Sequence, residues 1–155
     1  MTAAGAFALV SVPLRLYLGG VFVVAGYAKI LEPFDFALSV ATYQILPLSL
    51  INLFAILLPW LELFTGAFLI VGLLTKENAF LISVMMVMFT VALGIALGKG
   101  LQINCGCFAS GEAAAEISYR TLLRDLVWLA MGLFVWKYDD GRFGVDRFLG
   151  RHRHA

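Results

Sequence analysis

The chain has 155 residues, enough for a single domain, and 62% of them are hydrophobic while only 14% are charged. Its mean hydropathy is +0.94, whereas soluble domains are about half apolar and about a quarter charged. This composition predicts an integral membrane protein and excludes an ordinary soluble domain. The net charge of +1, without a basic stripe carrying interleaved aromatic residues, gives no indication of a nucleic-acid partner.

Four segments are long and apolar enough to cross a bilayer, which takes roughly 20 mainly apolar residues. We expect these spans at about 12–31, 51–74, 79–98 and 120–137. The first is not expected to be a cleaved signal peptide, because no basic segment precedes it and no small-residue cleavage site follows it. The predicted fold is all-α: a four-transmembrane-helix bundle that forms a single membrane domain over residues 1–138.

Three connections join the predicted spans. The stretch EPFDFALSVATYQILP is too short and too polar to span. We expect it to form a short interfacial helix between spans one and two, beginning at Asp35 and ending before Pro47. The sequence TKEN is the predicted turn between spans two and three, and a longer loop, about Lys99 to Tyr119, precedes span four.

The positions of Lys and Arg predict the orientation, because cytoplasmic loops carry the excess of these residues. Four spans place both termini on one side of the membrane. That side holds seven basic residues, namely Arg15, Lys76, Lys137, Arg142, Arg147, Arg151 and Arg153. The other side holds four, namely Lys29, Lys99, Arg120 and Arg124. We therefore expect an inner-membrane protein with cytoplasmic termini, a basic cytoplasmic tail over 139–155 and a periplasmic long loop.

The two cysteines of the chain, Cys105 and Cys107, lie in the long loop, within the stretch NCGCFASG. On the periplasmic side of a membrane, disulfides form and persist. Two cysteines are too few for a structural zinc site, since His152 and His154 belong to the opposite side, and the C-x-x-C-H haem motif is absent. We therefore expect no metal.

Two interpretations of the cysteine pair stay open. Inert thiols or a structural disulfide are the first, although a bond between positions i and i+2 closes so small a loop that it stabilises little. A redox-active pair is favoured, because Gly106 allows the turn that brings the sulfurs together and strain makes a disulfide easier to reduce. Lys99, Arg120 and Arg124 on the same side favour the reactive thiolate.

Ionisable residues inside membrane spans are costly, and they are therefore candidate functional residues. Glu62, near the middle of span two, must be paired, hydrogen-bonded or protonated, and is either a structural ion pair or a proton relay. Arg15 and Lys29 lie near the ends of span one, where long basic chains either reach the headgroups or face the bundle interior. Both share a helix face with two glycines, which favours the interior.

Arg120 and Arg124 lie near the predicted outer end of span four. Arg120 has a structural alternative, since Glu116 lies four residues before it and an ion pair at that spacing stabilises a helix. The functional alternative is that one of the two arginines polarises the cysteine pair or a bound electron acceptor. These residues are therefore supporting candidates beside the cysteines.

Four stretches, GYAKILEPFDF, LLPWLELFTGAFLIVGLLT, GLQINCGCFASG and SYRTLLRDLVWL, occur in this order along the chain. Together they resemble the MauE family of methylamine-utilisation proteins, a branch of the DoxX-like membrane proteins. The resemblance covers about Arg15 to Trp136, and Cys-Gly-Cys-Phe with Arg124 downstream is its more specific part. The chain has Asn104 and Ala109 where the family pattern usually has Asp and Gly.

The resemblance implies a four-helix bundle that works with a periplasmic thioredoxin-like protein in forming the disulfides of a secreted dehydrogenase subunit. By motif match it implies Cys105 and Cys107 as the redox pair, with Lys29, Glu62 and Arg124 as a polar framework. Electrons then pass to or from a second carrier, for which a quinone is the candidate cofactor.

Three functional hypotheses follow. The first is a membrane thiol–disulfide oxidoreductase that exchanges disulfides with a thioredoxin-like or secreted disulfide-containing partner through Cys105 and Cys107. The second is a non-catalytic scaffold or anchor subunit of a redox complex. The third is a transporter of a small solute or of protons built around Glu62, which ranks lowest because four spans are few and no pair of broken helices is evident.

Overall fold

A computed structural model describes residues 3–100, 119–139 and 144–148 of the chain. The regular elements in these ranges are helices: α1 (Ala3–Leu31), α2 (Pro33–Thr42), α3 (Leu48–Val71), α4 (Thr75–Gly98), α5 (Tyr119–Tyr138) and α6 (Val145–Phe148). The predicted all-α class is confirmed. Helix α2 lies between the first two spans, where a short helix was predicted, but it begins at Pro33 and not at Asp35, because proline suits the first turn of a helix.

Three helical segments are long and apolar enough to cross a membrane, as judged by length and composition: Leu9–Leu31 in α1, Leu48–Val71 (α3) and Thr75–Gly98 (α4). Large apolar side chains such as Leu57 and Val91 point outward from these helices, as a lipid-facing surface requires. The chain is therefore a multi-pass membrane protein. Helix α5 packs against α4 and α1 at the position of the predicted fourth span, whose membrane crossing stays a prediction.

The turn between α3 and α4 lies three residues earlier than the sequence predicts. Gly72 ends α3 with φ +74° and Leu74 precedes α4 with φ +50°, so these left-handed positions make the turn. Glycine adopts such a φ without steric cost, which makes it a common helix terminator. The residues of TKEN, Thr75 to Asn78, form instead the first turn of α4, and the predicted TKEN turn is wrong.

The start of α4 is held by a residue from the far end of the chain. Asp146 in α6 accepts hydrogen bonds from the backbone N–H groups of Leu74 and Thr75 at 2.9 and 3.0 Å, and from the Thr75 hydroxyl at 3.1 Å. A carboxylate at this place satisfies donors that a helix N-terminus leaves unpaired and interacts favourably with the helix dipole. The four-residue α6 is thereby joined to the bundle.

At the same end of the bundle, Arg15 is buried and forms an ion pair with Asp139, with 3.5 Å between Nη1 and Oδ2. Ser11 donates a 3.1 Å hydrogen bond to the same carboxylate oxygen. Arg15 therefore faces the bundle interior and does not reach for headgroups. The boundary of a separate tail at residue 139 stays a prediction, although Asp139 itself contacts α1.

Helices α1 and α3 approach each other at backbone contact. A Cβ atom on Gly26 would lie 2.7 Å from the Pro59 carbonyl oxygen, and one on Gly66 would lie 2.8 Å from the Gly19 carbonyl oxygen. Small residues allow this close packing, which is a main source of helix association in membranes. The approach brings the last turn of α1 beside the middle of α3.

We expect Gly26→Ala to lower the free energy of unfolding by about 1–3 kcal/mol, because the added methyl group forces two backbones apart. Gly20→Ala is the matched control, since a Cβ at Gly20 meets nothing within 4 Å. Alanine is the better helix former, so the control should be neutral or slightly stabilising. Unfolding of both variants in detergent micelles checks this, and equal effects at the two positions would contradict the close α1–α3 contact.

Candidate functional site

A deeply buried ion pair joins α1 to α3. Lys29 Nζ donates hydrogen bonds of 2.8 Å to both carboxylate oxygens of Glu62, and each residue is only 2% exposed. Glu62 is therefore paired, and Lys29 faces the interior instead of the headgroups. Because each charge compensates the other and both Glu62 oxygens are hydrogen-bonded, the pair meets the conditions under which buried charges are tolerated.

Aromatic side chains surround the ammonium group of Lys29. Its Nζ lies 5.0 Å from the ring centroids of both Phe36 in α2 and Phe89 in α4, within the range of cation–π attraction. A cavity of about 20 Å³ borders Lys29 and Glu62, with Trp128 of α5 on its wall. A cavity needs roughly 10–15 Å³ to hold one water molecule, so there is room for a single water beside the pair.

A second buried carboxylate, Asp125 in α5, was not singled out from the sequence. Asp125 is 1% exposed, and its Oδ1 accepts long hydrogen bonds from Arg124 Nε at 3.4 Å and Nη2 at 3.3 Å. Its Oδ2 is buried and has no hydrogen-bond partner in the structure as described. The Arg124 guanidinium also lies 4.6 Å from the Trp128 ring centroid, a cation–π contact that fixes its direction.

Tyr43, just after α2, belongs to the same group of residues. Burial, and in second place the negative charge of Asp125, raise the pKa of Tyr43 to about 12, so its hydroxyl stays protonated at physiological pH. Lys29 in turn acts electrostatically on Asp125. We call Lys29, Tyr43, Glu62, Arg124 and Asp125 the polar centre.

A larger apolar cavity, of about 120 Å³, lies beside the polar centre between α2, α3 and α4. Phe36, Tyr43, Phe54 and Phe89 are among its walls. Phe36 and Phe89 also contact Lys29, so the cavity and the polar centre share a wall. An apolar cavity of roughly 150 Å³ accommodates benzene, so this space is slightly smaller than one that holds a single aromatic ring.

The structure brings some of the predicted site residues together and leaves others apart. It brings Lys29 and Glu62 into contact, and Arg124 lies near them beside Asp125, whereas Arg120 is exposed at the start of α5. Cys105 and Cys107 lie outside the described residues. The segment that carries them connects the end of α4 to the start of α5, at the end of the bundle where α1 also ends.

Groups of three or more His, Cys, Asp or Glu side chains able to hold a metal ion are absent from the residues that the structure describes. The cysteine segment lies outside these residues, and the expectation that the chain holds no metal stays a prediction. The arrangement at hand is a hydrogen-bonded and charged interior suited to holding charge or protons inside a membrane.

Comparison with known proteins identifies relatives of most of the chain. The family model described as methylamine utilisation protein MauE matches residues 5–138. The methylamine utilization protein MauE of Methylophilus methylotrophus is 32% identical over 121 residues, which are 77% of this chain and 64% of that protein. The protein of the same name from Paracoccus denitrificans is 31% identical over 79% of this chain and 66% of its own length.

The chain thus spans slightly less than two thirds of the length of these relatives. A further relative with that name, from Methylorubrum extorquens, is 30% identical over 94 residues, or 60% of this chain and 45% of the relative. No solved structure matches the chain.

Proposed function

The chain belongs to the MauE family of methylamine utilisation proteins, and from this premise we propose that it is a membrane thiol–disulfide oxidoreductase with Cys105 and Cys107 as its reactive pair. The observation that carries the proposal is the Cys-Gly-Cys sequence in the segment between α4 and α5. Both helix ends that flank this segment lie at the end of the bundle where α1, with Lys29 in its last turn, also ends. A dithiol there is within reach of a protein outside the membrane.

The proposed reaction is a two-step exchange. The thiolate of one cysteine attacks a disulfide sulfur of the partner, which forms a mixed disulfide and releases one partner thiolate. The second cysteine of the pair then attacks the mixed disulfide, which leaves Cys105 and Cys107 oxidised and the partner as a dithiol. Two electrons pass to the partner, and the two protons of the dithiol end on its thiols. In the reverse direction the same steps oxidise the partner.

The proposed topology has α5 as the fourth span. Both termini then lie in the cytoplasm and the cysteine segment in the periplasm, in agreement with seven basic residues on the terminal side and four on the other. This placement gives the pair an oxidising environment. The proposed partner is a periplasmic thioredoxin-like protein or a secreted protein that contains disulfides.

A membrane carrier is needed to accept electrons from the pair or supply them, and we assign this role to a quinone. The chemistry that a bound quinone would supply is the acceptance of two electrons and two protons from a dithiol. The apolar cavity beside the polar centre supports the assignment by its apolar and aromatic lining, in which Phe36, Tyr43 and Phe89 would hold the ring.

Filling the cavity tests the quinone proposal. Ala92 lines it, and Ala92→Phe should abolish binding of a short-chain ubiquinone to the purified protein, measured by equilibrium dialysis. Val91→Phe, on the exposed face of the same helix, is the control and should bind as the unmodified protein does. Unchanged binding in Ala92→Phe would show that the ring does not occupy this cavity.

Covalent trapping tests the reaction itself. A cysteine left alone forms the mixed disulfide but cannot resolve it, so Cys107→Ser should accumulate a complex through Cys105, or Cys105→Ser one through Cys107. Non-reducing electrophoresis of membranes that contain the thioredoxin-like partner reports the complex, with the double Cys→Ser variant as the blank.

The scaffold hypothesis is favoured by one observation, the complete hydrogen bonding of Glu62 by Lys29, which suits a purely structural ion pair. It predicts that neither single variant traps a partner and that the double Cys→Ser variant keeps full activity in disulfide formation. If both results were found, the scaffold hypothesis would replace the oxidoreductase proposal.

A further inference from the structure

Asp125 Oδ2 is an exception among the buried polar atoms of the protein. Buried side-chain oxygens are nearly always hydrogen-bonded, and leaving one unpaired costs about 1–3 kcal/mol. Asp125 is 1% exposed, yet its Oδ2 has no partner within the described residues. The other oxygen is held only by Arg124, at 3.3 and 3.4 Å, longer than the usual charge-assisted bond.

The carboxylate is surrounded by groups that respond to its charge. Lys29 from α1 and Tyr43, just after α2, both interact electrostatically with Asp125. Lys29 is also ion-paired with Glu62 of α3. Arg124 is the neighbour from α5 itself, while α4 supplies the aromatic ring of Phe89 over Lys29. The two cations and two carboxylates balance, so one added proton changes the net charge of the polar centre from zero to +1.

The direct ion-pair partner of Asp125 is partly exposed. The side chain of Arg124, its direct partner, is 30% exposed, whereas Lys29 and Glu62 are sealed inside. Asp125 lies in the second turn of α5, the helix that directly follows the cysteine segment. The unpaired oxygen thus belongs to a residue within two helical turns of the end of the bundle from which that segment leaves.

We propose that Asp125 is the proton-exchanging residue of the polar centre, which binds and releases a proton at Oδ2 while Lys29–Glu62 stays a fixed ion pair. In the thiol exchange proposed above, on which this role rests, the attacking thiol loses its proton and Oδ2 takes it up through water, forming the neutral acid. When the S–S bond of the partner breaks, the proton passes from Oδ2 to the departing thiolate. No net proton or electron is consumed, and Asp125 returns to the carboxylate.

Infrared spectroscopy of the full chain in lipid nanodiscs tests the proton-binding atom without any thiol chemistry. The carbonyl stretch of a protonated carboxyl group should grow as the pH falls, shift when aspartate is labelled with ¹³C, and disappear in Asp125→Asn. It should persist in Asp139→Asn, a buried aspartate held by Ser11 and Arg15, and in the double Cys→Ser variant. The assignment is overturned if the band persists in Asp125→Asn or if its frequency does not shift when aspartate is labelled with ¹³C.

The pH dependence of thiol exchange tests the role. Asp125→Asn should lower the rate roughly 10²-fold, the lower end for a positioned acid–base group, and remove one ionisation from the rate profile. Asp125→Glu should restore that ionisation. A structural role predicts a lower unfolding temperature in Asp125→Asn with the profile unchanged, which overturns the proposal. If the aspartate band titrates but the protein shows no thiol exchange, the result contradicts the proposed function and still supports Asp125 as a proton-binding site.

Discussion

Replacing Lys29 with Met is expected to destabilise the protein by about 3–5 kcal/mol, because it leaves Glu62 as an uncompensated charge in the bundle interior. Lys29 donates hydrogen bonds to both carboxylate oxygens of Glu62, and each residue is 2% exposed. Neither water nor lipid headgroups can therefore replace Lys29 as the partner of Glu62. Glu62→Gln should cost a comparable amount by stranding the ammonium group, although the two phenyl rings beside it offset part of the loss.

The double variant Lys29→Met with Glu62→Leu removes both charges and keeps side chains of similar volume. Replacing a buried ion pair by apolar residues of similar volume is often neutral or stabilising, so the double variant should regain most of the stability that the single variant loses. Lys99→Met, at an exposed lysine just after α4, is the control and should change little. Unfolding by detergent titration measures all four. Stability in Lys29→Met equal to that of the unmodified protein would contradict a buried, interacting pair.

The second large effect concerns activity. Cys105→Ser and Cys107→Ser should each reduce disulfide exchange with the partner to the uncatalysed background, because the attack and resolution steps need both sulfurs. Since the pair acts as a unit, the double variant should be no worse than either single variant. Ser110→Ala, in the same segment, leaves both thiols in place and should keep full activity. The measurement is the rate at which a thioredoxin-like partner is reduced or oxidised.

Additive losses in the two cysteine variants would contradict a joint role, since independent contributions add whereas members of one unit do not. Partial activity in one variant only would assign the reaction to a single thiol. In either case the stability of the bundle should be unaffected, because so short a loop contributes little even as a disulfide.

Hydropathy and the cost of buried charge were sufficient to predict helices at the positions of α1 to α5 and to predict that Glu62 is paired, hydrogen-bonded or protonated. Both rules depend on residue type and spacing, which can be read directly from the sequence. The same rule applies to Asp125, an acidic residue in the second turn of the predicted fourth span, so the sequence held that signal and it was missed. Which of its oxygens lacks a partner depends on Arg124 and three other helices, and no local pattern contains that information.

The α3–α4 turn shows why local patterns alone mislead. TKEN is short, polar and placed between two apolar runs, which is typical of a turn. Asp146, 71 residues beyond Thr75, caps the helix there, so those residues begin α4 and Gly72 makes the turn. Contacts made across the length of the chain decide both this boundary and the burial of Arg15 against Asp139.

The reduction potential of the cysteine pair tests the central claim most directly. The full chain in lipid nanodiscs is equilibrated in thiol–disulfide buffers of graded potential, and the fraction of dithiol is read by alkylation of the free thiols. A strained, exchanging pair should convert at a potential above about −300 mV, in the range of catalytic disulfides. A bond that is reduced only below that value, or two cysteines that never form a disulfide, would contradict the account.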